Sequence, residues 1–246
     1  MELAELICER VASVERVRFC NSGSEAGMLA AQLARRVTGR GRLLMARLGY
    51  HGSYDDLEAE SAGEGGRTLL AEYGDASSFE AMLARHGGEI AAVFLEPVLG
   101  SSGIIAPPPD FLPRVASAAH SAGALCVIDE VITLRLATGG AQSAAGVTPD
   151  LTMMGKIIGG GLAVGALGGR AELMAHFDPS GPHAMHHSGT FNGNPLTCAA
   201  GVVSVGELSA ERIAAMIGWR RGCRRRWSAR LRAWGCHSGC GAPAHC

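Results

Sequence analysis

The chain has 246 residues, of which 47% are hydrophobic and 18% charged, enough apolar material for a sizeable core and too much for a disordered polymer. A formal net charge of −1 argues against a dedicated nucleic-acid binder, and no apolar run is long enough to form a membrane-spanning helix. The opening MELAELICER carries acids where a secretory signal would carry basic residues ahead of an apolar stretch, so the expected location is cytoplasmic.

The averages conceal a division. Residues 1–216 hold 15 basic and 23 acidic residues, a net −8. The last thirty, 217–246, hold seven of the 21 arginines, four of the eight cysteines, all three tryptophans and no acid, a net +7. Against those 21 arginines stands a single lysine, Lys156.

Taken in chain order, Val17 to Cys20 reads as a short strand and Glu25 to Val37 as a helix. A strand is expected over Arg42–Ala46, a helix over Ser77–Arg85 and a buried strand over Ala91–Leu95. Phe111 to Ala122 reads as a helix and Ala124 to Ile128 as a second buried strand. Leu151–Met154 and Ala163–Leu167 are further candidate strands. Asn194-Pro195 then opens a long apolar helix, with Asn as cap and Pro at the first helical position. Continuous apolar strands alternating with helices predict an α/β fold, a mostly parallel sheet covered by helices on both faces. Ligands in such sheets sit beyond the carboxyl ends of the strands, so the residues following each strand carry the functional interest.

After Cys20 comes Asn21-Ser22-Gly23-Ser24-Glu25, a small hydroxyl-rich turn that suits either a plain helix cap or a phosphate at the positive end of a helix. After Ile128 comes Asp129-Glu130-Val131. A carboxylate there needs a cationic or hydrogen-bonding partner, and an arginine pair or a helix cap would serve as well as a ligand. Glu96-Pro97 holds the matching place after the Ala91–Leu95 strand, so the two carboxylates read as an acid pair, a metal site, or one ligand with its support.

Lys156 lies among glycines and apolar residues in MGKIIGGG. The phosphate-loop pattern fails because Asp150 stands where its first glycine belongs and Ile157 where its Ser or Thr belongs. No dinucleotide fingerprint and no hydrolase elbow occurs. The lysine is either a surface residue in a flexible loop or an amine whose pKa desolvation would lower towards nucleophilic reactivity. His186 to Pro195 is a second hydroxyl- and glycine-rich run before a helix, and Tyr50-His51-Gly52 offers an aromatic plane after the Arg42–Ala46 strand.

A phosphate cradle, an aromatic plane, a strand-end Asp and a desolvated lysine together match the needs of pyridoxal phosphate. The motifs RFCNSGSEA, GYHG, FLEPVLGSSG, VIDEVITLRL, PDLTMMGKIIGGGLAVGALGGR and HSGTFNGNPLTCAAG, in this order, resemble the class III aminotransferases of the fold-type I pyridoxal-phosphate enzymes. Within them the chain is similar to the glutamate-1-semialdehyde aminomutases and to β-amino-acid (β-phenylalanine-type) aminotransferases. The resemblance implies that Lys156 binds the cofactor covalently and shuttles a proton between the substrate Cα and the cofactor C4′. It implies that Asp129 keeps the pyridine nitrogen protonated, and that Ser22, Gly23 and Ser24 hold the phosphate. Tyr50 would stack on one face of the ring and Val131 would pack against the other, with Glu96 supporting Asp129 or the ring hydroxyl. Thr190 would reach the phosphate of the neighbouring subunit, which implies a homodimer with shared sites acting on a small amino-acid substrate.

Two departures accompany the resemblance. Many class III aminotransferases carry a glutamate five residues after the Glu of EP, and here that position is Ser101, which weighs against dual recognition of glutamate and for the aminomutase-like branch. The motifs fill residues 1–216, the expected cofactor domain, whereas family members continue beyond both ends. A truncated, catalytically inactive fragment is therefore the alternative to an active enzyme. The 217–246 segment matches no family pattern. Cys236, His237, Cys240, His245 and Cys246 have no common zinc-site spacing, so no metal is assigned. Out-of-frame coding would account for this composition.

Overall fold

Leu43 and Met45 turn to one side of their strand and Leu44 and Ala46 to the other, yet all four are buried, which requires a helical layer on each face. The computed structural model describes residues 1–58 and 66–219 and shows both layers. Its helices are α1 (Glu2–Arg10), α2 (Gly23–Thr38), α3 (Ala76–His86), α4 (Phe111–Ser121), α5 (Gly140–Ala144), α6 (Ala171–Met174) and α7 (Pro195–Gly206). Its strands are β1 (Arg16–Cys20), β2 (Arg42–Ala46), β3 (Thr68–Ala71), β4 (Ile90–Leu95), β5 (Leu125–Asp129), β6 (Leu151–Gly155) and β7 (Gly165–Gly169).

The strands form one sheet in the order β1-β7-β6-β5-β4-β2-β3. β2, β3, β4, β5 and β6 pair in parallel, while β7 is antiparallel to both β6 and β1. β7 is thus the one reversed strand, and β1 points the same way as the other five. One face packs Leu29, Ala30 and Leu33 of α2 on Met45, Phe94, Val127 and Met153. The other packs Phe79 of α3 and Phe111 and Val115 of α4 on Leu44, Val93, Leu95 and Ile128. A third cluster joins Leu3 and Ile7 of α1 to Val205 of α7 and to Met154 and Ile158.

The expected α/β architecture is borne out. The expected strand Ala163–Leu167 is displaced to Gly165–Gly169, because its register is set by pairing with Cys20 and Gly155 across the sheet and not by its own apolar run. α1 is an addition to the expected elements although its Leu3, Leu6 and Ile7 keep a helical spacing, whereas the short helices α5 and α6 and the four-residue β3 lack a clear period in the sequence. Asn194 caps α7 as expected, its side chain accepting from the Thr197 N–H at 2.9 Å. Residues 210–219 are helical, and the cysteines and histidines from Cys236 onward lie outside the described residues. Among the described residues, no helix is long and apolar enough to cross a membrane.

Gly165 shows how closely the sheet packs against the first strand-to-helix turn. A Cβ there would overlap the carbonyl oxygen of Ser22. Gly165→Ala is expected to cost about 1–3 kcal/mol as overpacking, read as a drop in thermal midpoint. An unchanged midpoint would show that the Ser22 turn can move freely.

Candidate active site

Six of the seven strands share a direction, so β1, β2, β4, β5 and β6 deliver the residues that follow them to one edge of the sheet. The reversed β7 brings its preceding residues to that same edge. A cavity of about 310 Å³ opens there. It is lined by Ser22, Gly23 and Ser24 from the β1–α2 turn, by Tyr50 and His51 after β2, and by Glu96 after β4. Asp129 and Val131 from the end of β5, Lys156 after β6, and Ala163 and Val164 before β7 also line it.

Each residue is held by local chemistry. Ser22 is the cap of α2 and its hydroxyl accepts from the Glu25 N–H at 3.1 Å, while Glu25 accepts from the Asn21 N–H at 2.9 Å. The Ser24 hydroxyl accepts from the Ser53 N–H at 3.1 Å. Both oxygens therefore accept from the backbone and keep a proton to donate. The cap and the anion site, which the sequence offers as alternatives, are compatible in one turn.

Asp129 is buried and its two oxygens are used separately. Oδ1 accepts from the Val131 N–H at 3.0 Å, and Oδ2 lies 3.0 Å from Nδ1 of the fully buried His51. His51 leans on Phe94 with ring centroids 5.6 Å apart, and its Nε2 is buried without a hydrogen-bond partner. An imidazole fixed on one nitrogen by Asp129 keeps the carboxylate pointed along the sheet edge. His51 belongs to this site although the motif reading of Tyr50-His51-Gly52 draws attention to the tyrosine alone. The signal was present in the adjacency of His51 to the expected aromatic, but its partner 78 residues away was not.

Glu96 bonds to backbone N–H groups, and no hydrogen bond joins it to Asp129. Its Oε1 accepts from the Tyr50 N–H at 3.0 Å and its Oε2 from the Gly100 N–H at 2.9 Å, so it holds the aromatic loop to the end of β4. Val131 packs between the β1–α2 turn and β6, within 3.0 Å of the place a Cβ on Gly23 would occupy.

Lys156 departs from expectation in one respect. It is exposed where the cavity opens, not desolvated among apolar side chains, because it starts a 3-10 turn (Lys156–Gly159) that leaves the sheet edge. Its φ of +47° is a left-handed conformation that side-chain-bearing residues rarely adopt, the kind of local strain that concentrates at functional sites. Thr190 is exposed and does not line this cavity. Its loop is nonetheless tied to the same edge, since Asn192 accepts from the Asn21 side chain at 2.7 Å and His187 accepts from Arg18 at 2.9 Å.

Burial pushes the Glu96 carboxyl above its ordinary range, against the pull of His51 and of the Tyr50 and Gly100 N–H groups. A group raised on folding contributes its full stability below the ordinary carboxylate pKa and loses it as pH rises through the raised value. The protein is therefore expected to lose thermal stability as pH climbs out of the ordinary carboxylate range. Glu96→Gln should remove part of that fall, and thermal midpoints measured across pH check it; parallel curves for the two proteins would contradict the assignment.

The class-III aminotransferase family model matches residues 1–217. The chain is 44% identical over 228 residues to the β-phenylalanine transaminase of Variovorax paradoxus, covering 89% of this chain and 50% of that protein. It is 41% identical over 230 residues to the glutamate-1-semialdehyde 2,1-aminomutase of Salinibacter ruber, covering 86% and 52%. A transaminase solved with PLP bound matches it with a TM-score of 0.86 at 31% identity, over 95% of this chain and 59% of that one. The chain thus spans about half the length of the curated relatives it matches. The resemblance carried by the six motifs is borne out: the chain belongs to the class-III aminotransferases, a family of pyridoxal-phosphate-dependent enzymes.

Proposed function

We propose that this cavity binds pyridoxal 5'-phosphate and that the protein transfers an amino group to or from a small amino-acid substrate, as an aminotransferase or an aminomutase. The observation that carries the reading is the convergence of an amine, a buried carboxylate, an aromatic ring and a helix-capping hydroxyl turn in one cavity of about 310 Å³. The donor set fits the cofactor. The Ser22–Ser24 turn offers hydroxyl protons and the positive end of a sixteen-residue helix to a phosphate. Asp129, oriented by His51, offers a carboxylate to a protonated ring nitrogen. Tyr50 and Val131 supply the walls for a flat ring, and Glu96 fixes Tyr50 by its backbone.

When bound, the cofactor supplies a carbonyl that condenses with amines and a ring that delocalises negative charge. The chain's own residues do the rest. Asp129 holds a proton on the ring nitrogen by charge. Lys156 anchors the cofactor and, once released, takes a proton from the substrate Cα, a general-base role of the kind that contributes about 10²–10⁴-fold. Thr190, which does not line its own cavity, would meet the phosphate in a second copy of the chain, which makes a homodimer part of this reading.

Adding pyridoxal phosphate to the full chain is expected to give a visible absorbance band that Lys156→Ala abolishes, with turnover falling by about 10²–10⁴-fold. A band unchanged by the substitution would remove Lys156 from the site. Glutamate-1-semialdehyde and a β-amino acid donor are the two substrates to compare, and failure with both overturns the subgroup reading. A lysine-dependent band without turnover of any amino donor would favour the alternative of a chain that keeps the cofactor site and lacks the catalysis.

A further inference from the structure

Glu130 follows Asp129 directly and, by the alternation of side chains along a strand, its carboxyl group is sent away from the cavity. It is fully buried. Burial of a carboxyl group is unfavourable unless its oxygens are hydrogen-bonded, and here they are. Oε1 accepts from the Gln142 N–H at 2.6 Å, and Oε2 is bonded by the Thr133 hydroxyl. The fit is tight: Gly140 has a φ of +81°, and a Cβ there would lie 2.6 Å from Glu130 Oε1, so the connection from β5 to α5 can close on the carboxyl group only through glycine.

The contacts continue towards Lys156. The Gln142 side-chain oxygen lies 3.2 Å from the Ser13 hydroxyl and 3.3 Å from the Thr152 hydroxyl, and those two hydroxyls are 3.1 Å apart. Thr152 is on β6, the strand that delivers Lys156. The Glu130 N–H itself donates to the Met153 carbonyl at 2.9 Å, extending the β5–β6 ladder by one bond past Asp129. A chain of buried polar contacts therefore links the end of β5 to β6 on the side of the sheet that the cavity does not touch.

We propose that Glu130 is a positioning residue that acts by reach: its carboxyl group clamps the Thr133–Gln142 connection to the end of β5 and so fixes where Asp129 stands relative to Lys156. This rests on the reading of the cavity as the pyridoxal-phosphate site. Reach and charge make different demands on a substitution. Gln at this position keeps the length, its carbonyl can accept from the Gln142 N–H, and its amide can donate to a Thr133 hydroxyl that turns round. Asp keeps the charge and is one methylene too short.

The test measures the dissociation constant of pyridoxal phosphate for the full chain by its visible absorbance, together with the pH midpoint of that absorbance and the thermal midpoint without cofactor. Glu130→Asp is expected to bind the cofactor roughly tenfold more weakly and to shift the absorbance midpoint, a loss typical of supporting residues behind a ligand shell. Glu130→Gln is expected to stay close to the unaltered chain in both. A Glu130→Asp protein with unaltered affinity and absorbance midpoint overturns the inference, as does a Glu130→Gln protein as impaired as Glu130→Asp, which would show that reach alone does not sustain the role. If Glu130→Asp does not fold, Thr133→Val decides: weaker cofactor binding supports the clamp, and unchanged binding overturns it. Absence of binding by the unaltered chain overturns the cofactor reading and this inference together, which separates that failure from a failure confined to Glu130.

Discussion

Strand β5 runs through the middle of the sheet and ends on two consecutive carboxylates, Asp129 at its last position and Glu130 just beyond it, one for each face. Neither can be buried without partners. Asp129 is satisfied on the cavity side by His51 and the Val131 N–H, and Glu130 on the packed side by Thr133 and Gln142. Much of the surrounding structure follows from meeting those needs. The loop after β2 must fold back to place His51, and the connection after β5 must double back to place Gln142. The glycines at 27 and 140 stand where a side chain has no room, the first against the His51 carbonyl and the second against the Glu130 carboxyl group.

The second constraint is direction. A sheet of strands all running one way gathers its carboxyl ends at one edge, and this sheet adds the start of β7 to that edge by reversing it. The reversal matters to the cavity because Ala163 and Val164 close the wall beside Lys156. It also brings Gly165 against the Ser22 carbonyl, so the phosphate-type turn and the lysine-bearing turn are held in register through a single short strand. The strained φ of Lys156 is sustained by this framework, with β6 fixed on both sides and the 3-10 turn capped at Gly160.

Most of the elements that build the site were legible in the sequence. The apolar runs of β4 and β5 are buried on both faces, and a strand buried on both faces has no choice but to read as an unbroken apolar run. The cap of α7 was legible because Asn-Pro is local chemistry. β3 and the short helices were not, since four or five residues carry too little period to stand apart from a loop. Of the nine residues expected at the site, eight line the cavity, and the ninth, Thr190, belongs to a loop tied to its rim.

The sequence by itself determined the residue types the chemistry needs and their order along the chain, because strand ends, caps and glycine turns are written in short stretches. Only the tertiary structure decided that His51 is the partner of Asp129, that Glu130 faces away and ties β5 to β6, and that Lys156 is exposed and not desolvated. Those facts depend on which strands are neighbours and which face each side chain takes. Pairing across the sheet sets both, between residues far apart in the chain, and no local pattern records it.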